Sequence, residues 1–398
     1  MQPRTMSYLR SRFREYYLEA SLELPPDSAS REWGFVLFDG RGMRRHKAFT
    51  SRNELVDYIR GMVPQHVYHS AAYYEHPGAP TMKEKIWTGT DLIFDLDADH
   101  LKGAPSSYRD MLALVKRETA KLLGFLMDDF GFSSEAIDLV FSGGRGYHIH
   151  VRDERVRPLL SDSRREIVDY LAGRGLDIER MISEVALVGD SGVEEAPQLR
   201  CPPAGAPGWA GRVNKAILGF VEHIRSLDEK EAVDLLSSMK GIGKKKATYF
   251  YISLKGSEVT QRIGEGNLGF FKGSSELWRI LIKRYLEGEE VSFGLDEQRG
   301  ETDEPVTADI KRLIRYPMSL HGGTGLRVTP IGVSGLDCFD PLRDAVVFGK
   351  EEVDIVLSRS FRLEIAEIDE VLDPGPARLP AYAAIMLIAR GAAELGKG

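Results

Sequence analysis

"TGTDLIFDLDADH", residues 88–100, decides how this chain is read. Its centre has the composition of a buried strand, yet it carries two aspartates. Side chains of a strand alternate between faces, so residues two apart point the same way. Leu92, Phe94 and Leu96 fall on one face; Ile93, Asp95 and Asp97 fall on the other. Adjacent carboxylates repel, and burial sharpens the penalty. Two readings fit. One is a strand whose polar face meets solvent. The other is a divalent-cation site, because Mg²⁺ takes hard oxygen ligands, often one or two carboxylates together with substrate phosphates. A bound cation would remove the repulsion and favour the ionised forms.

Working outward, "AIDLVFSGGRGYHIHV" (136–151) reads as strand, glycine turn, strand. Past the turn, Tyr147, Ile149 and Val151 share one face, and His148, His150 and Arg152 share the other. Glycines admit a tight turn and a close ligand. Arg145 brings a planar fork that suits phosphate oxygens, and Ser142 a hydroxyl. A plain glycine hairpin with a wet face is the alternative. A His-x-His zinc site lacks a nearby third ligand. A third segment, "ETDEPVTADIKRLIRYPMSLHGGTGLRV" (301–328), reads as a helix preceded by Asp303 and stopped by Pro317. Ile310, Leu313 and Ile314 form its buried stripe, with Arg312 and Arg315 on other sides. Ser319 and His321 then enter a glycine-rich turn.

The chain has 398 residues, enough for two or three domains. No run of about eighteen apolar residues is present, which argues against a membrane-spanning helix. The start, "MQPRTMSYLRSRFREYY", is amphipathic and unlike a secretory signal. Two cysteines, Cys201 and Cys338, cannot build a disulfide framework or a four-cysteine zinc site, and a reducing cytoplasm fits. The net charge of −7 does not itself suggest a nucleic-acid binder; clustering of basic residues matters more.

Strands are expected in "REWGFVLFDG" (31–40), its partner "MRRHKAF", and "QHVYHSAAYY", with helices over 1–24, "RNELVDYIRGM" and 106–130, the last closed by Gly131. After about residue 160 amphipathic helices dominate, interrupted by the Pro/Gly-rich 194–211. Mixed character returns near residue 300, and "AYAAIMLIARGAAEL" reads as an apolar docked helix. The expected fold class is α/β (α+β): a mixed-sheet core from 1–160 and 295–398, with a mainly helical insertion over 161–294. "DFG" at 129–131 and "HGGTG" at 321–325 imitate kinase and lipase signatures without the accompanying motifs. "MKGIGKKKA" (239–247) has the shape of a helix-hairpin-helix turn, but reads more simply as a solvated basic helix start.

The three segments, in this order, resemble the motifs of the small, catalytic subunit of archaeal and eukaryotic DNA primases, the archaeal branch most closely. The resemblance runs through roughly residues 1–155 and 300–335. It implies the archaeo-eukaryotic primase fold and a nucleotidyltransferase that makes short RNA, or DNA, primers for DNA replication. Residue by residue, it implies Asp95, Asp97 and Asp303 as ligands of two Mg²⁺ or Mn²⁺ ions. It implies Ser142, Arg145, His148, Arg315 and His321 as nucleotide contacts, with Arg45 as a weaker match. Implied partners are a primase large subunit, a single-stranded DNA template and nucleoside triphosphates. Many relatives carry a zinc knuckle soon after the first motif. Here that place reads "ADHLKGAPSSYRDML", without cysteine, so no structural zinc is expected. Basic stretches offered for the template are Arg41 to Lys47, Arg152 to Arg157 and Lys240 to Lys246. Competing readings are a repair-type primase-polymerase of the same superfamily, a metal-dependent nuclease, and an inactive replication scaffold.

Overall fold

The computed structural model describes residues 1–100, 105–185, 197–271, 273–286 and 298–396. The chain forms two compact units. One comprises Met1–Met127, Gly131–Val168 and Glu301–Gly398; the other comprises Asp128–Phe130 and Asp169–Gly300.

The first unit holds the opening stretch. Helix α1 (Pro3–Glu19) buries Leu9, Phe13 and Tyr17, a four-residue spacing that puts one stripe against the core. Strands β1 (Trp33–Val36) and β2 (Met43–Lys47) pair antiparallel, and β3 (His66–Ser70) lines the other side of β1. Between β2 and β3 lies α2 (Arg52–Met62), whose start is set by Ser51 accepting a bond from the Glu54 N–H. A small pair follows, β4 (Ala72–Tyr74) with β5 (Trp87–Thr90), bracketing the one-turn helix α3 (Met82–Lys85).

Strand β6 (Leu92–Asp97) is the quoted stretch. It pairs antiparallel with β8 (Gly146–Val151), which pairs in turn with β7 (Ile137–Phe141). Helix α4 (Tyr108–Gly124) packs on β6 and β8, presenting Leu112, Val115, Thr119 and Leu122 from one face. The expected helix over 106–130 is thus shorter; a wider turn occupies Phe125–Asp129, and Gly131 follows in the left-handed region at φ +69°.

Helix α5 (Ser161–Leu171) comes next in the chain. In the second unit, strands β9 (Ser183–Val185) and β10 (Gln198–Arg200) pair antiparallel. Helices α6 (Gly208–Ser226), α7 (Glu229–Ser238), α8 (Lys244–Leu254), α9 (Val259–Gly264) and α10 (Ser274–Leu286) make up the rest. Amphipathic periodicity anticipated most of these, and α7 opens on a capping box between Asp228 and Glu231. Parts of the 161–294 expectation, and residues 194–196 of the Pro/Gly-rich break, lie outside the described residues. So do residues 101–104 of "ADHLKGAPSSYRDML".

The third segment departs from its sequence reading. The helix spans only Glu304–Ala308, and Leu313–Arg315 is a strand, β11, pairing antiparallel with β3. Asp309 ends the helix: its carboxylate accepts the Lys311 N–H at 2.8 Å, a local turn that competes with helical bonding. Beyond it, β3 offers an open edge, and pairing there satisfies the backbone better than another helical turn would. Ile314 is buried, but in a cluster with Ala71, Ile93 and Val306. That cluster joins the sheet β11-β3-β1-β2 to the sheet β12-β7-β8-β6, where β12 is Thr329–Ile331. The C-terminal region adds strands β13 (Glu352–Leu357), β14 (Phe361–Ile365), β15 (Ile368–Leu372), β16 (Gly375–Pro380) and β17 (Ala393–Leu395). The buried apolar helix Ala381–Ala389 lies between the last two in sequence. None of these strands was anticipated. No described helix is long and apolar enough to cross a membrane.

Candidate active site

The register of β6 on β8 builds the site. Asp95 lies opposite His148, and Asp97 opposite Gly146. Cross-strand partners share a face, so the two carboxylates and the His148 ring project from the same side. Gly146 is required by packing: a Cβ there would stand 1.8 Å from the Leu96 carbonyl oxygen. The turn is closed by the Ser142 N–H donating to the Gly146 carbonyl at 2.9 Å, and the Ser142 hydroxyl accepts the Gly144 N–H at 3.2 Å.

The third segment docks on this turn. The Thr324 hydroxyl donates to the Gly143 carbonyl at 2.5 Å. Gly143 has φ +74°, and a Cβ on it would meet the His321 Cβ at 2.7 Å, so glycine alone allows the approach. His321 Nδ1 accepts the Gly323 N–H at 3.2 Å, which leaves the ring proton on Nε2. Arg315 is held by the His66 ring, Nη1 to Nδ1 at 2.6 Å, and its guanidinium lies 5.2 Å over the Tyr68 ring.

These elements enclose a cavity of about 370 Å³, lined by Asp95, Asp97, Ser142, Gly144, Arg145, His148, Arg315, His321, Gly323, Thr324 and Arg390. Every expected site residue lines it except Asp303 and the weaker match Arg45. Asp303 occupies the N-cap position of the helix Glu304–Ala308 without a side-chain cap bond, and its N–H donates to the Asp95 carbonyl at 3.0 Å; the Thr302 hydroxyl approaches the same oxygen at 3.3 Å. The backbone at Asp303 is therefore pinned to the strand that carries Asp95. Arg45 lies elsewhere, forked onto the buried Glu32 carboxylate at 3.1 and 3.2 Å.

Charge in the cavity is not carried by all of its basic residues. Burial, then the charges of Arg315 and Arg312, push the His148 pKa down to about 3. Burial, then Arg315 and His66, hold His321 well below the usual histidine range. Both rings are neutral at pH 7. They can donate hydrogen bonds to a phosphate but bring no charge, so the 3.5 Å contact of His148 Nε2 with Asp95 is a weak polar contact and not an ion pair. The cations are the arginines. Arg145 reaches Asp97 at 3.6 Å and also bonds Asp99.

Asp95 and Asp97 supply hard oxygen donors at a water-accessible wall, which fits a divalent cation. Among the described residues no three His, Cys, Asp or Glu side chains form a complete ligand set. A hard cation held by two carboxylates would fill its remaining positions with water and substrate oxygens.

Sequence reading missed His66, which orients Arg315, and Arg390. It also missed Asp91 and Arg31, a fully buried pair at 2.8 Å just before β6. The proposed basic stretches are largely neutralised locally: Arg44 pairs with Asp39, Arg152 with Asp91 and Asp138, Arg157 with Asp27, and Lys246 with Glu276.

The family model for the DNA primase small subunit matches residues 94–333. The whole chain is 56% identical to the DNA primase small subunit PriS of Methanothrix thermoacetophila, covering 100% of both proteins. It is 45% identical to that of Methanococcoides burtonii, again over 100% of each. With that of Methanocella arvoryzae it shares 43% identity over 99% of each. The mixed α/β core thus belongs to a nucleotidyltransferase that synthesises primers for DNA replication. The chain is a member of the DNA primase small subunit family.

Proposed function

We propose that the cavity on β6 and β8 carries out templated nucleotidyl transfer. A primer 3′-hydroxyl oxygen bonds to the α-phosphorus of a nucleoside triphosphate, the bond to the bridging oxygen breaks, pyrophosphate leaves, and the hydroxyl proton passes to water. Asp95 and Asp97, with Asp303 from the adjoining helix cap, would hold two Mg²⁺ or Mn²⁺ ions. When bound, such ions ease ionisation of the hydroxyl and offset charge on the leaving group. Arg145 and Arg315 hold the triphosphate by charge. Ser142, neutral His148 and neutral His321 hold it by hydrogen bonds. The protein's contribution is positioning and fixed electrostatics. Arg145 bonds Asp99 and lies 3.6 Å from Asp97, so it would turn from carboxylate to phosphate as the nucleotide enters.

The observation that carries this reading is the convergence in one cavity of two strand-borne carboxylates with Arg145 and Arg315. The template would be single-stranded DNA. The partner would be a primase large subunit, a reading that the relatives' designation as small subunits supports. The test is primer synthesis on an unprimed single-stranded template, with Mg²⁺ or Mn²⁺, ribo- or deoxynucleotides, and the large subunit added or withheld. Labelled products longer than a dinucleotide are expected. Degradation of labelled DNA without synthesis would replace this reading with a nuclease.

A further inference from the structure

Arg390 stands at the C-terminal end of the helix Ala381–Ala389, far in sequence from all three motifs, yet it lines the same cavity. Its guanidinium lies 4.3 Å from the centre of the Tyr108 ring and 6.0 Å from that of Phe361. Tyr108 is itself fixed, its hydroxyl donating to the Gly144 carbonyl of the glycine turn. Two guanidinium nitrogens of Arg390, Nε and Nη2, are buried and make no hydrogen bond to the described residues. Arg390 also forms no ion pair among the described residues. A guanidinium has five donors in a rigid fork, and leaving those on Nε and Nη2 unused in a buried setting is unfavourable. Such an arrangement suits a site that receives an anion.

The position within the cavity says which anion. Arg145 is tied to the carboxylate wall through Asp97 and Asp99. The charges of Asp95 and Asp97 also act on Arg315. Arg390 forms no ion pair with that wall among the described residues. It neighbours His321 and the Tyr108–Gly144 corner instead. If the α-phosphorus reacts at the carboxylates, a linear triphosphate extends away from them.

We propose that Arg390 is a third guanidinium contact of the nucleotide, receiving the terminal phosphate and making the site select triphosphates over diphosphates. This rests on the nucleotide-transfer reading of the cavity. The aromatic rings hold the guanidinium in place, so little side-chain freedom is lost when the phosphate arrives.

The experiment compares the full-length chain with Arg390→Gln and Arg390→Lys, measuring equilibrium binding of ATP and ADP with Mg²⁺, and KM and kcat for primer extension in complex with the large subunit. Arg390→Gln is expected to weaken ATP roughly tenfold or more, as for loss of a charge-assisted hydrogen bond. ADP affinity and kcat at saturating nucleotide should change little, and Arg390→Lys should restore part of the loss. Equal loss for ATP and ADP, no loss for either, or a loss confined to primer–template affinity would each overturn the assignment. Thermal melting of both variants guards against misfolding, and the lysine variant retains the charge if the glutamine variant melts early. Failure of the unmodified chain to bind ATP would overturn the transfer reading itself, which these variants leave untouched.

Discussion

Asp91 and the pair Asp95–Asp97 lie within seven residues of one another and behave in opposite ways. The Asp91 carboxylate is 0% exposed and saturated: Arg31 bonds it at 2.8 Å, the Tyr73 hydroxyl donates to it at 2.5 Å, and Arg152 approaches at 3.5 Å. Side chains of Asp95 and Asp97 remain 22% and 32% exposed, and they face a cavity. The first aspartate anchors structure. The other two stand where a cation and a phosphate chain can reach them. Burial and partners, and not residue type, separate an architectural carboxylate from a reactive one.

That contrast can be broken experimentally. The largest effect is expected for Asp95→Asn or Asp97→Asn. Each should cut nucleotide incorporation about a thousandfold or more, since transition-state charge stabilisation is lost. The melting temperature should hold, because a repulsive pair has been neutralised; substantial activity in either purified variant would refute the role of this wall. Asp91→Ala should do the reverse. It leaves Arg31 charged and buried, a loss of about 3 kcal/mol in urea unfolding. The lower end of the usual range is expected because Arg31 keeps the Pro26, Ser70 and Ala71 carbonyls and the Tyr73 hydroxyl. Its folded fraction should keep near-normal turnover, and a collapse of kcat there would erase the distinction.

Arg145→Ala comes next. Apparent nucleotide affinity should fall by about tenfold, with kcat less affected; unchanged affinity would rule out a phosphate role for the turn. The smallest effect concerns pH. Burial alone would raise the Asp91 pKa, but Arg31, Tyr73 and Arg152 outweigh it and hold it below the ordinary value. A carboxylate with a folded pKa below its unfolded one stabilises above the unfolded value and loses that contribution as pH falls through the folded value. Stability of the unmodified chain should therefore drop on acidification below about pH 4, and Asp91→Ala should show a shallower drop.

What was legible in the sequence was local. Alternation along residues 92–97 and 146–151 is a property of the strand itself, and the facing of Asp95, Asp97 and His148 followed from it. The helical pattern of "RNELVDYIRGM" placed α2 at its observed bounds. Where the outcome depended on a distant partner, reading failed. Leu313–Arg315 carries a helical pattern, and only the open edge of β3 turns it into a strand. Neutrality of His148 and His321 depends on burial by several elements at once. Arg390 sits beyond the motifs, and nothing near it in sequence marks it as a cavity residue. Asp91 and Asp95 belong to the same quoted run, and their difference lies in Arg31, sixty residues upstream of Asp91.

The pairing of β11 with β3 and of β12 with β7 also has a consequence in time. Both inner strands are made early, and both of their partners come late, after the whole helical unit. At about 5–20 residues per second of synthesis, the ribosome leaves these two edges open for roughly 10–50 s. A nascent chain in that interval has Asp95, Asp97 and Arg145 but neither Arg315 nor His321. It is exposed to edge-to-edge association, and the cavity lacks part of its lining until the last third of the chain has emerged.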